Sequence, residues 1–246
     1  MGLATHGYMT FAPEARVAAW AQAAHRVGTD VAMDPAMRAQ WLRHGGTWFV
    51  GVDALPNGRD GSIDAVPLSG PWEGVIDVPQ YWHRAQLSVI YPGYPRQDSE
   101  SDAAFRYRTG RCAAHVDGLL LEDGRRYPRE PHAFILGIAL NDSAACPLMV
   151  WPGSHLAMRA ALAGVIGARD PRTIDVTEAY VAARKAVFSA STPVALPLRA
   201  GASVLLDRHL LHGIAPWQAG DTAPPEGRMM AYFRPICPDP ADWLRG

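Results

Sequence analysis

The stretch "RCAAHVDGLL", Arg111 to Leu120, sets an imidazole and a carboxylate two residues apart among small and apolar neighbours. Neutral imidazole and carboxylate together suit a borderline divalent metal such as ferrous iron. If "AFRYRTGRCAAHVD" is a strand, alternation puts Arg111, Ala113, His115 and Asp117 on one face and Cys112 and Ala114 on the other. Two ligands from one strand leave much of a coordination sphere open, and the small Ala113 leaves room beside them. Alone the spacing carries little weight, because chance and hydrogen-bonded loop pairs also produce it.

A third ligand is required, and "SVLLDRHLLHGIAPW" offers His209 and His212. Three residues apart on a strand, they face opposite ways, so they do not both serve. His212 is followed by Gly213, which permits close backbone approach. His209 reads as a core histidine with Asp207 for a partner. The competing assignment for His212 is likewise a core imidazole satisfied by a carbonyl.

The elements that must position these groups change character along the chain. Pro13 suits a first helical turn, and Val17, Trp20, Ala21, Ala24 and Val27 fall on one stripe. A second short helix is expected from Asp34-Pro35 to the Gly45-Gly46 pair. From Thr47 onward, "TWFVGV", "AQLSVIYP", "AAFRYR", "HAFILGIAL", "PVALPL", "ASVLL" and "RMMAYFRP" are short apolar or alternating runs. Pro, Gly, Asp and Asn separate them, as between strands. Two helical stretches interrupt, "SHLAMRAALAGVIGA" and "DVTEAYVAARKAVFSAS", the second with Asp175 and Glu178 spaced as a capping box. The expectation is a mainly β protein with flanking helices and a mostly antiparallel core. One domain is expected over 1–246: an N-terminal helical region over 1–46, a core over 47–236 and a helical insertion at about 155–190.

Composition narrows the class. Lys and Arg total 23 against 24 Asp and Glu, so no basic excess points to nucleic acid. Lys185 is the one lysine. Cys112, Cys146 and Cys237 are scattered without a CxxC spacing, which argues against a disulfide framework or zinc knuckle and for a reducing compartment. No apolar run is long enough to span a bilayer, and the first residues lack the pattern of a secretory signal. A cytoplasmic location with no membrane or nucleic-acid partner is expected.

The order of motifs is more specific than any one of them. His115-x-Asp117, "CPLMVWPGSH" ending at His155, "GASVLLDRHLLHG" and "GRMMAYFRP" together resemble the phytanoyl-CoA dioxygenase family over roughly residues 85–235. The resemblance implies a double-stranded β-helix, a jelly-roll, cupin-like core with a metal at its mouth. It implies Fe(II) held by His115, Asp117 and His212, with 2-oxoglutarate as cosubstrate and dioxygen and a small molecule as partners. The reaction implied is hydroxylation of an unactivated C–H bond with release of succinate and carbon dioxide. Arg228 matches the arginine that holds the distal carboxylate of 2-oxoglutarate, a task suited to a bidentate guanidinium. Arg234 shares its alternation face and is the fallback.

Two departures from the family pattern stand out. His212 and Arg228 lie sixteen residues apart, a few more than usual, with the turn-rich "QAGDTAPPEG" between them. Ile214 stands where a hydroxyl residue often helps hold the cosubstrate. Related halogenases lack the acid, so Asp117 disfavours halogenation. "PGSH" reads as architectural, with Ser154 a cap for the following helix and His155 a group behind the ligands. Arg111 is a candidate substrate contact by parity, whereas Arg106 and Arg108 read as partly solvated. Trp151 and Trp217 flank the motif loops and are candidate pocket walls. The rival readings are a cupin-like metal- or ligand-binding protein without turnover and a zinc-dependent hydrolase on the same barrel.

Overall fold

A computed structural model describes residues 2–245. Its strands are β1 (Tyr8–Phe11), β2 (Leu42–Arg43), β3 (Trp48–Phe49), β4 (Gln86–Ile90), β5 (Leu119–Glu122) and β6 (Arg125–Pro128), followed by β7 (Phe134–Ala139) and β8 (Leu148–Val150). The remainder are β9 (Val194–Leu196), β10 (Ser203–Asp207), β11 (His212–Ile214) and β12 (Arg228–Phe233). Seven of them form one antiparallel sheet in the order β1-β10-β7-β12-β4-β3-β2, three form a second, β11-β8-β9, and β5 pairs with β6 as a hairpin. The helices are α1 (Leu3–His6), α2 (Ala15–Met33), α3 (Pro35–Trp41), α4 (Asp102–Arg111), α5 (Ser154–Ile166) and α6 (Thr177–Ala190).

Strand alternation sorts side chains into two cores. On β12, Met229, Ala231 and Phe233 face α2, while Met230 and Tyr232 face the three-stranded sheet. On β7, Leu136 and Ile138 take the helix side, and Ile135 and Ala139 the inner one. Leu148 and Val150 of β8 meet them there. This is the jelly-roll arrangement, two sheets packed face to face with a helix layer outside the larger one. Buried on both faces, β7 and β12 are apolar runs rather than alternating ones.

Helix α2 packs through the stripe read from its sequence. Val17, Trp20, Ala21 and Ala24 are buried and Val27 is partly so. Trp20 is fully buried, its ring 5.7 Å from that of Phe233 and its indole N–H donating to the Gly61 carbonyl at 2.8 Å. Helix α3 opens on Pro35 with the Asp34 carboxylate accepting from the Met37 N–H, and it ends at Trp41. Gly45 and Gly46 lie beyond that end, in the turn between β2 and β3, rather than at the helix stop expected of them.

Three further expectations need correcting. The "AAFRYR" segment is helix, not strand: Ser101 caps α4 by accepting from the Ala104 N–H, with Asp102 in the first turn and Arg108 and Arg111 in the last. Acid at the N-terminus and base at the C-terminus suit the helix dipole, and this outweighs the apolar–basic alternation. The N-terminal region is not all helical, because β1 pairs with β10 at the edge of the large sheet. Asp175 and Glu178 do not form a capping box: the Asp175 carboxylate accepts from the N–H and hydroxyl of Thr177, where α6 begins. No helix among the described residues is long and apolar enough to cross a membrane.

Truncating Trp20 removes a fully buried indole packed on Phe233 together with a buried hydrogen bond. Trp20→Ala is expected to cost about 3–5 kcal/mol, read as a lowered urea midpoint in equilibrium unfolding.

Candidate metal centre

His115 and His212 come together through the backbone. Their main chains form an antiparallel bridge, the His115 N–H donating to the His212 carbonyl at 2.9 Å and the reverse bond measuring 3.1 Å. Partners in such a bridge send their side chains to the same side, and the two imidazole centroids lie 4.7 Å apart. Asp117, two residues on, completes the group: one carboxylate oxygen is 3.0 Å from His115 Nε2 and the other 3.7 Å from His212 Nε2. One ligand atom from each residue lies within 4.8 Å of the others.

Both rings are oriented by their own chain. His115 Nδ1 is 2.9 Å from the Ala113 carbonyl, and His212 Nδ1 is 3.0 Å from that of Leu210. A carbonyl only accepts, so Nδ1 carries the hydrogen in both rings. His212 Nε2 is left with its lone pair toward the shared space, whereas His115 Nε2 donates to the Asp117 carboxylate, a proton that a cation would displace. Two neutral imidazoles and a carboxylate on one side of a divalent ion form the 2-His-1-carboxylate donor set. The side chains present therefore fit such an ion.

The electrostatics favour a neutral His212 and an ionised Asp117, while His115 leans toward its protonated form beside that carboxylate. Burial pushes the His212 imidazole down to about 4 against the pull of Asp117. Burial would raise the Asp117 carboxyl, but the His115 contact and the charges of His212 and Arg234 hold it well below the usual carboxylate range. Burial lowers His115, yet its bond to Asp117 outweighs this and leaves it raised.

The surrounding backbone holds the bridge in place. Helix α4 ends in two left-handed residues, Cys112 and Ala113, which turn the chain toward β11. The Tyr107 hydroxyl donates to the Ala114 carbonyl, and burial raises that phenol to about 12, keeping it a donor. On the other side, the Leu211 N–H donates to the buried Ser154 hydroxyl at 3.0 Å, and the Trp151 N–H donates to the Leu211 carbonyl. Ser154 therefore positions the residue before His212 instead of capping α5, whose N-cap is Gly153. A side chain at Gly213 would place Cβ 2.1 Å from the Cys112 carbonyl oxygen, and one at Gly118 would lie 1.9 Å from that of Glu130. Only glycine admits these approaches. The close approach at Gly213 is thus to neighbouring backbone, a use that its sequence position did not specify.

The other sequence candidates divide. Arg228, at the start of β12, has the parity of Met230 and Tyr232 and so faces the space between the sheets. It is 3% exposed, neither terminal nitrogen has a hydrogen-bond partner among the described residues, and it lies behind the cavity walls rather than among them. A buried guanidinium left this way is costly unless an anion meets it. Arg234 sits closer to the triad, its guanidinium 3.5 Å from Asp117.

Arg111 does not line the cavity beside the triad; its guanidinium lies over the Phe188 ring, 5.1 Å from the centroid. Parity on a strand chose it, and the segment is a helix. Arg108 lines the cavity in its place. Trp151 is buried against Phe188 on the outer face of the small sheet, following β8 alternation. Trp217 packs beside Ile90, Tyr94 and Cys146, and neither tryptophan is among the cavity walls. His209 is buried, its backbone N–H donating to Asp207 and its ring 4.6 Å from that of Trp243. His155 is buried with Nε2 3.2 Å from the Ala4 carbonyl, where it ties α5 to the N-terminal segment.

No family model and no curated protein matches the sequence. Among solved structures, the chain is similar to SnoK, described as a non-heme alpha ketoglutarate dependent carbocyclase from nogalamycin biosynthesis. The TM-score is 0.53 at 16% identity, over 95% of this chain and 81% of that one. The two share a fold. Looser likenesses are to apo EctD from S. alaskensis (TM-score 0.49, 16% identity, 94% of this chain and 73% of that one) and to AviO1 from Streptomyces viridochromogenes Tue57 (0.45, 14%, 96% and 92%).

Adding one methyl at Gly213 forces the Cys112 carbonyl away and opens the His115–His212 bridge. Gly213→Ala is expected to lower divalent-metal affinity by about 10–100-fold, measured by anaerobic titration with Co(II), while far-UV circular dichroism stays close to wild type.

Proposed function

We propose that this protein is an Fe(II)- and 2-oxoglutarate-dependent oxygenase of the phytanoyl-CoA dioxygenase type. On this reading it uses dioxygen to hydroxylate an unactivated C–H bond of a small molecule in the cytoplasm. The observation that carries the reading is a pairing: a two-histidine, one-carboxylate group with both Nε2 atoms turned to the carboxylate, and a buried arginine, facing the space between the sheets, whose terminal nitrogens have no partner among the described residues. The SnoK-like fold supports it, as does the order of the motifs along the chain.

In this assignment His115, Asp117 and His212 hold the iron, and Arg228 holds the distal carboxylate of 2-oxoglutarate. Bound together, iron and cosubstrate supply the oxidising chemistry, with succinate and carbon dioxide as products. The chain contributes the rest. The bridge fixes two ligands at once, and the carbonyls of Ala113 and Leu210 keep both Nδ1 protons in place. Ile135, Leu148 and Ile214 give the cavity apolar walls, which limit water beside the reacting centre. Asp117 occupies the ligand position that a halide would need, which disfavours halogenation. Arg228 separates this reading from a zinc hydrolase or a storage barrel, since neither needs a buried carboxylate clamp.

Anaerobic addition of ferrous iron and 2-oxoglutarate is expected to produce the visible charge-transfer absorption of the chelate. Its absence in the wild-type protein would overturn the assignment. His115→Ala and Asp117→Ala are each expected to abolish ferrous binding in equilibrium dialysis. Arg228→Gln is expected to keep iron but weaken 2-oxoglutarate binding by about 2–5 kcal/mol, the range for losing one partner of a buried charge pair.

A further inference from the structure

The cavity beside the triad has a volume of about 350 Å³, near the lower end for small-molecule sites. Its charge is lopsided. Among the described residues lining it, Asp117 is the single carboxylate, whereas Arg108 and Arg234 both contribute guanidinium groups. Asp117 already faces two imidazoles and Arg234, so its charge is spent at the centre. Arg108 stands apart on α4.

Arg108 is held more firmly than a solvated arginine needs to be. Its side chain is 18% exposed, and Nε donates to Glu100 at 3.2 Å. The other Glu100 oxygen lies 3.3 Å from His44 Nδ1, and both side chains are nearly buried. His44 in turn stacks on Trp48, the rings 5.7 Å apart and 13° from parallel, and Trp48 meets Tyr94 edge to face. Trp48 and Tyr94 line the same cavity. Glu100 occupies Nε and is the one carboxylate that Arg108 contacts among the described residues. Its guanidinium also reaches the Tyr94 hydroxyl, which lines the same cavity; with five N–H donors in a planar fork, it can still take a carboxylate beside that hydroxyl.

We propose that the substrate is a small carboxylic acid, gripped by Arg108 and carrying an apolar or aromatic body that rests on Trp48, Ile135 and Leu148. That this acid is the molecule oxidised rests on the oxygenase reading; the anion subsite does not. Arg108 thereby sets specificity from the wall of the cavity, with Glu100 and His44 as positioning residues behind it.

The test is calorimetric titration of the full chain, with and without anaerobic iron and 2-oxoglutarate, using 3-phenylpropanoate and hexanoate against their primary amides. At least one acid is expected to bind wild type about tenfold or more tighter than its amide, the worth of one charge-assisted pair. Arg108→Gln is expected to erase that preference. Arg108→Lys keeps the charge beside Glu100 and guards against misfolding; with its fork lost, it is expected to retain part of the preference. The proposal is overturned if neither acid outbinds its amide in wild type, or if Arg108→Gln keeps the full preference with its circular dichroism unchanged. The charge-transfer band recorded on the same wild-type samples separates the two readings. Its absence, with the acid preference intact, removes the oxygenase assignment and leaves the carboxylate site standing.

Discussion

The backbone bridge between His115 and His212 is the interaction on which the rest of the site depends. Two main-chain hydrogen bonds join the segment leaving α4 to the start of β11, and that pairing sends both imidazoles to one side. Asp117 then follows two residues along, at the turn after the bridge, where Arg234 meets its carboxylate. Much of the neighbouring structure reads as protection of this pairing: Ser154 and Trp151 fix Leu211, Tyr107 fixes Ala114, and Gly213 lets the Cys112 carbonyl come close. Each of these acts on backbone rather than on a ligand side chain. The donor set is therefore a by-product of how two chain segments pair.

The two-sheet scaffold gives that pairing its rigidity. β8 lies between β9 and β11, and its inward residues Leu148 and Val150 pack against β7 and β12. β11 is thus anchored on one side by the small sheet and on the other by the bridge. Outside, α5 and α6 bury Trp151 and Leu211, so the segment carrying His212 is covered by helices as well. The helical insertion thus buttresses the segment that carries His212.

Much of this was legible in the residues. β7, β10 and β12 are apolar runs of strand length bounded by turn formers, and α2 shows its stripe, because burial on one or both faces leaves a periodic trace. His115, Asp117 and His212 stood out because ligand chemistry restricts residue type more tightly than packing does. What stayed hidden depended on tertiary context. "FRYRTGR" alternates like a strand, and only the Ser101 cap and the charge order along the segment favour helix. That one difference exchanged the roles of Arg111 and Arg108, since a helix turns its side chains by a hundred degrees per residue where a strand turns them by half a circle. Ser154 looked like a helix cap because its sequence neighbours gave no hint of Leu211. Arg228 could be singled out through motif order, but its lack of partners is visible only once the sheets are assembled.

The tethering of both imidazoles to carbonyls two residues upstream has a consequence for any ion that the group would hold. Because both rings are already turned, a cation entering the group would need to displace little more than the proton between His115 Nε2 and Asp117, and the fold would not wait on the ion as a zinc finger does. A rigid face of two nitrogens and an oxygen also imposes no strong geometric choice among first-row dications, whose intrinsic affinities follow their own series. On the proposed reading, which metal is carried would be governed by what the cell offers as the chain matures, and a misloaded protein would still be folded.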